Sequence, residues 1–537
     1  MQKYLLLLVL LFTITLRAVE HPSFETIREM PHSYAKDYYI WRFIQEKNTT
    51  KQEALTAYQW SKRKSPKLKK AIRAKTGHLP ILNNTSKNTH KKEKDSKNFI
   101  IYPATAAKKS KHSLKKLYKR IKRQGKYSEV LEVLSSNKPF KTLATLKPKV
   151  QLYIYNGVGS KYRKKYFNHP FSKEQIQLFL KERAFNQTIF KTITTHQLQK
   201  TKKSLVFDSS NNKLKFESNF LLAMNAIEFK DINRALNFLS LSRTKTKRQS
   251  HYDQVDFWFY LLTKYDGFLE QLIRSNQVNL YTLSARDILK KPYPNVLTPL
   301  LEEKAINNFD IANPIDWENI KITMKKEPNN LNSLAEKYKS NHTLGIYSYI
   351  KEKASKYTVP YYPMPYPESM FGFTKERKAL IYAIARQESR FVPASISTSY
   401  ALGMMQIMPF LIKHLAKERG EKLDLNEMFQ PEIAISYGNQ HLDYLNSWLY
   451  HPLFVAYAYN GGIGFTKRTI KSSHLFKKGS YEPYLSMELI DYIQSRDYGK
   501  KVLSNYVMYL NILGIQTRVS DFLKMLEYPS QTDRFRK

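Results

Sequence analysis

The run ALIYAIARQESRF (379–391) is an apolar helical pattern closed by a carboxyl. At 3.6 residues per turn, spacings of four and seven place Glu388 on the same face as Ile384 and Ile381. A carboxyl on a buried face near the C-terminal end of a helix meets apolar surroundings and the negative pole of the helix dipole. Both disfavour the anion and raise its pKa. General acids are made in this way, by keeping a proton available near neutral pH. The same residues also allow a plainer reading, in which the glutamate head passes the helix end into solvent. A chemically mixed segment, SYALGMMQIMP (399–409), follows.

Working outward, Tyr361-Tyr362-Pro363-Met364-Pro365-Tyr366-Pro367 is the clearest punctuation in the chain. Three prolines in five residues cannot continue a helix, so a C-terminal domain is expected over 361–537. Upstream, from about 127 to 350, one helical pattern follows another with short polar turns and scarce glycine. NFLLAMNAIEFKDINRALNFLSLS (219–242) reads as a helical hairpin. In HYDQVDFWFYLLTKY (251–265), Val255, Trp258, Phe259 and Leu262 form a helical stripe. No sustained strand alternation occurs. The expected fold is mainly all-α, beginning with an N-terminal superhelical, solenoid-like array, although no clean repeat period is visible.

The length of 537 residues predicts about three or four domains. Lys3, the apolar stretch Tyr4–Leu16 and Arg17-Ala18 read as an export signal over 1–18. The stretch is shorter than the ~20 residues that span a bilayer. An uncleaved membrane anchor stays open, because Leu16-Arg17-Ala18 matches a small-x-small cleavage site poorly. The chain has no cysteine, which excludes disulfides, thiolate metal sites and a cysteine nucleophile. Neither HExxH nor GxxxxGK[ST] occurs, and the thirteen histidines are scattered. No metal and no cofactor are expected. The net charge of +44 is uneven: residues 61–126 hold 23 Lys or Arg against Glu93 and Asp95, whereas 361–537 nets only +6. For an exported chain, an anionic polymer or anionic envelope surface suits such a segment better than nucleic acid, which is not an expected partner. A solvated Lys-rich stretch without a specific partner is the alternative.

Three blocks stand out in the C-terminal region. The first is Ala385-Arg386-Gln387-Glu388-Ser389 with Ser397 and Ala401-Leu402-Gly403-Met404-Met405-Gln406-Ile407-Met408-Pro409. The second is Ala458-Tyr459-Asn460-Gly461-Gly462-Ile463-Gly464, and the third is Glu488-Leu489-Ile490 leading into Ser495-Arg496-Asp497-Tyr498. In order and spacing they resemble the soluble lytic transglycosylases, over roughly residues 361–515. That family has an E-S glutamate, G-L-M-Q-I-M-P, A-Y-N-x-G, and a late glutamate before E-T-R-x-Y. Four departures are visible: Leu402-Gly403-Met404 for S-G-L, Gly461 for alanine, Asp491 for proline, and Gln494-Ser495 for E-T. The Lys-rich insert has no recognised counterpart there.

The resemblance implies a goose-type lysozyme-like, mostly helical catalytic domain over 361–537. It also implies a superhelical domain over 19–290 and a small helical linker domain over 291–360. A glycosidic bond breaks when its leaving oxygen is protonated as positive charge grows on the sugar, and hydrolases usually add a second carboxylate. Between Glu388 and Glu418 the chain has no acidic residue. By resemblance one acid suffices. Glu388 protonates the oxygen between N-acetylmuramic acid and N-acetylglucosamine of peptidoglycan, then takes the proton of the muramoyl C6 hydroxyl as that group closes a 1,6-anhydro ring.

Other roles are implied residue by residue. Tyr459 orients the proton, and Ser397 and Gln406 bond sugar substituents. Met405 and Met408 form an apolar wall that raises the Glu388 pKa and stacks on a pyranose. Asn460 fixes its loop, Glu488 binds the peptide or amino-sugar part, and Arg496 with Tyr498 braces the fold. A periplasmic location follows, with envelope proteins as conceivable partners of the helical array. A lysozyme-type hydrolase and a non-catalytic wall-binding or scaffold protein are the alternatives.

Overall fold

Short, locally capped helices build this chain. The computed structural model describes residues 21–80, 101–121, 126–209 and 213–536. The expected export signal at 1–18 lies outside the described residues, as do 81–100 and 122–125 of the Lys-rich segment. Within the described residues thirty α-helices and two 3-10 turns follow one another, and extended pairing is limited to isolated bridges. Side-chain oxygens of Ser33, Thr50 and Ser65 accept the N–H groups of Lys36, Glu53 and Leu68 at three early helix starts. Each such cap contributes about 1 kcal/mol. Proline opens Pro314–Lys326, Pro409–Arg419, Pro431–Asn446 and Pro452–Gly461, where its missing N–H costs no helical bond. No helix among the described residues is long and apolar enough to cross a membrane.

The Lys-rich segment is helical where described. Pro66–Thr76 buries Leu68, Ala71 and Ile72 and exposes Lys69 and Lys70, with Lys67 and Lys75 half-buried, and Lys111–Ile121 buries Leu114 and Ile121 and exposes its lysines. The hairpin expected over 219–242 consists of Phe216–Glu228 and Ile232–Arg243, turned by Lys230 at φ 59° and capped by Asp231. Helix Gln249–Thr263 departs from its expected single stripe. Val255 and Trp258 enter the main core and Phe259 and Leu262 are half-buried, but Phe257 is fully buried with Leu269, Leu272, Tyr281 and Ala285. The helix has neighbours on two sides, so a second face is apolar.

The array meets the C-terminal region near both of its ends. At the beginning, Arg42 pairs with Asp424 at 2.6 Å and the Tyr38 hydroxyl donates to Asn426 Oδ1 at 2.8 Å. Near its end, helix Leu280–Ile288 packs on Ile493–Ile512 and Val519–Met525. Between array and C-terminal region, Pro314–Lys326, Leu331–Lys337 and Leu344–Ala354 share a separate core with Tyr361, Val392 and Ala394. The proline-rich segment runs extended beside Leu297: Leu297 N–H donates to the Pro360 carbonyl at 2.9 Å, and Tyr362 N–H to the Leu297 carbonyl at 2.7 Å.

Helix Lys375–Glu388 lies against the 20-residue helix Ile493–Ile512, which also packs on Pro452–Gly461. These three elements carry Glu388 of the first block, Tyr459 and Asn460 of the second, and Arg496 to Tyr498 of the third. The fold therefore gathers segments separated by about a hundred residues around one helix end.

Candidate active site

Glu388 is the last residue of helix Lys375–Glu388, whose Ile381 and Ile384 are completely buried. Its surroundings are set by what happens next in the chain. Ser389 Oγ donates to the Met404 carbonyl at 2.8 Å, which draws the 400s segment across the helix end. Arg390 and Phe391 then adopt left-handed φ values of 58° and 64° and reverse the chain. Such backbone strain is held only where neighbours over-determine it. Here Arg386 and Arg390 both pair with Glu352 of the Leu344–Ala354 helix, at 2.7 and 3.2 Å. In that helix a Cβ on Gly345 would come within 2.5 Å of the Phe391 carbonyl oxygen, so the close approach requires glycine.

The 395–408 segment forms the facing wall. Isolated bridges join Ile396 to Leu402 and Leu402 to Ile407. Gly403 turns at φ 74°, and a Cβ there would lie 2.1 Å from the Met428 carbonyl oxygen. Ser397 Oγ accepts N–H groups of Ser399 at 3.2 Å and Ala401 at 2.9 Å, which leaves its own O–H to donate. Gln406, at φ 52°, donates its amide to the carbonyls of Ser395 at 3.0 Å and Gly403 at 2.8 Å, leaving its amide oxygen as an acceptor. Both side chains are half-buried.

Burial pushes the Glu388 carboxyl up to about 7, and the Tyr498 hydroxyl draws it back down. No carboxylate among the described residues contributes to that shift. At neutral pH the group therefore populates both acid and base forms, as a residue that gives and retakes a proton requires. The buried Tyr498 hydroxyl neighbours the carboxyl without a hydrogen bond of good geometry. Tyr498 was expected only to brace the fold, yet it lies beside the acid. Tyr459 also feels the Glu388 charge, but its hydroxyl donates to the Met405 carbonyl at 2.8 Å. Its proton is already engaged, so what it can offer a substrate is a lone pair.

Further placements differ from the sequence expectations. Met405 is completely buried and fills the space left by Gly438, so its side chain cannot stack on a sugar; Met408 is half-buried. Asn460 Oδ1 accepts from Ser495 Oγ at 2.8 Å, a loop-fixing bond. Glu488 does not face a groove. It is 1% exposed, pairs with Lys500 at 2.8 Å, and accepts from Gln254 at 2.9 Å and from the Tyr281 hydroxyl. Its carboxylate joins the helical array to the C-terminal region and is not available to a peptide or amino sugar. His441 was not anticipated: its ring lies 5.4 Å from that of Tyr459, and burial pushes it down to about 4, leaving a neutral imidazole at neutral pH. Nothing in the local sequence marks it, whereas Tyr498 could have been found in the R-x-Y ending of the third block.

A carboxyl whose pKa burial raises at a helix end, faced by a polar loop and two tyrosines, can give and take a proton near neutral pH. Residues 374–481 match the family model for the Transglycosylase SLT domain. The chain is similar to the soluble lytic murein transglycosylases of Salmonella typhimurium, 27% identical over 221 residues, and of Escherichia coli K12, 26% identical over 222. In each, the match covers 38% of this chain, and the chain spans about a third (32%) of the relative's length. Among solved structures it is similar to the Slt lytic transglycosylase of Pseudomonas aeruginosa, with a TM-score of 0.46 and 14% identity over 92% of this chain and 79% of that one. The 70-kDa soluble lytic transglycosylase of Escherichia coli gives 0.47 and 15% over 94% and 84%.

Proposed function

We propose that the protein is a peptidoglycan lytic transglycosylase, a lyase that cleaves the β-1,4 bond between N-acetylmuramic acid and N-acetylglucosamine and leaves 1,6-anhydromuramoyl ends. The observation that carries this reading is the lone, burial-shifted carboxyl of Glu388 at the meeting point of three motif segments. Glu388 donates its proton to the glycosidic oxygen as the bond to C1 breaks. The carboxylate then accepts the proton of the muramoyl C6 hydroxyl, whose oxygen bonds to C1. Tyr498, whose hydroxyl has no other partner, donates to the carboxylate while it is ionised. Ser397 O–H and the Gln406 amide oxygen face the sugar substituents, and Met408 offers an apolar contact. The proton is returned, so the enzyme ends as it began and no water is consumed. By this reading the protein works on the peptidoglycan of the periplasm.

Mass spectrometry of digested sacculi tests the reaction. Expected are muropeptides lighter by one water than hydrolytic products and lacking a reducing muramic end. Reducing ends throughout would establish a hydrolase instead, and no release at all a binding protein.

A further inference from the structure

A groove of about 620 Å³ lies between helices Tyr34–Gln45, Pro66–Thr76 and Pro409–Arg419, outside the site described above. Trp41 and Phe410 are its aromatic walls, and Lys67, Lys70, Lys75 and Lys413 are its charges; no carboxylate lines it. Among the described residues none of these four lysines is in an ion pair. Phe410 is 70% exposed, so its ring is accessible to a ligand in the groove.

The groove borders the segment that carries Ser397. Lys67 Nζ donates to the Ser399 carbonyl at 2.8 Å, two residues from Ser397, and lies 6.0 Å from the Trp41 ring and 5.7 Å from the Tyr400 ring. Ser65 Oγ donates to the Tyr400 hydroxyl at 3.1 Å. Phe410 follows Met408 by two residues. The 397–408 segment, which carries Ser397 and Gln406, is thus tied at Ser399 and Tyr400 to the start of the basic helix Pro66–Thr76. Burial holds the Lys67 ammonium below its ordinary pKa, so a carboxylate arriving there would meet a poorly hydrated cation.

We propose that this groove is a second binding site, for the carboxylate-bearing glycopeptide that extends from the cleavage site along the same strand. Sugar C–H faces cover Trp41 and Phe410, and the carboxylates of the stem peptide meet the lysines. This occupant is favoured over a lipid surface because the charges line a concavity, and one of them, Lys67, bonds the segment that carries Ser397. The proposal rests on the function proposed above, and it gives helix Pro66–Thr76 of the Lys-rich segment a specific task.

The test uses the full chain carrying Glu388→Gln, so that binding is read without turnover. Probes are purified sacculi, sacculi stripped of stem peptides by an amidase, and phosphatidylglycerol vesicles. Lys70 and Lys413 are exposed, so Lys70→Glu/Lys413→Glu should fold, and an unchanged thermal midpoint checks this. The double reversal should weaken binding to intact sacculi roughly five- to tenfold at low salt, with a smaller loss for stripped sacculi. Phe410→Ala should weaken binding to both forms about equally. Binding to intact sacculi that is insensitive to the reversal overturns the groove proposal and leaves the proposed reaction standing. A reversal that abolishes only vesicle binding also overturns it, in favour of a lipid surface. Absence of sacculus binding by the Glu388→Gln protein overturns the proposed function together with it.

Discussion

Two glutamates a hundred residues apart are both withdrawn from water, with opposite consequences. Glu388 lies at a helix end beside Tyr498 and no cation, so burial raises its pKa to about 7 and leaves it able to give a proton near neutral pH. Glu488 lies where the array meets the C-terminal region, and Lys500, Gln254 and Tyr281 all contact its carboxylate. Compensation by a partner, rather than burial itself, separates a reactive carboxyl from a structural one. The two regions are tuned accordingly: one keeps an unbalanced charge, and the other balances its charge to hold two bodies of helices together.

The sharpest break of this comparison is Glu388→Gln. Release of soluble muropeptides should fall by about 10²- to 10⁴-fold while circular dichroism stays unchanged. Next is Lys500→Met, which strands the buried Glu488 and should lower unfolding stability by about 3–5 kcal/mol in urea titrations. Adding Glu488→Gln should recover a large part of that loss; if it does not, Glu488 is not the balanced partner described here.

A smaller effect concerns Glu388 and pH. Its folded pKa lies above the ordinary 4.5, so the ionised form destabilises the fold. The associated stability is complete below about pH 4.5 and is lost as pH rises through about 7. Relative to wild type, Glu388→Gln should therefore gain roughly 2–3 kcal/mol at pH 8 and nothing at pH 4, measured by denaturant unfolding. The smallest effect belongs to Tyr498→Phe. Turnover should drop about tenfold, the size of one lost hydrogen bond to a charge. The alkaline limb of the pH–rate profile should move upward, because Tyr498 holds the Glu388 pKa down.

Features built from neighbours in sequence were legible. ALIYAIARQESRF contains the helix, its buried isoleucines and the carboxyl at its end, and the hairpin over 219–242 is as local. The helix Gln249–Thr263 was read less well, since a second buried face depends on which helices flank it. Met405 and Met408 look alike in the sequence; only the gap over Gly438 buries one and leaves the other half-exposed. Tyr459 and Tyr498 exchange emphasis for the same reason. The Met405 carbonyl occupies the first hydroxyl, and the packing of Ile493–Ile512 on Lys375–Glu388 brings the second to the acid.

The sequence alone determined the helical character of this protein, the motif blocks and the acid among them, because helix periodicity and local desolvation act over a few turns. Tertiary structure decided which polar groups are already engaged and which remain free. It buried Glu488 against Lys500, set Tyr498 beside Glu388, and placed Lys67 of Pro66–Thr76 against the segment that carries Ser397. Those outcomes depend on contacts between segments tens to hundreds of residues apart, whose partners no local pattern encodes.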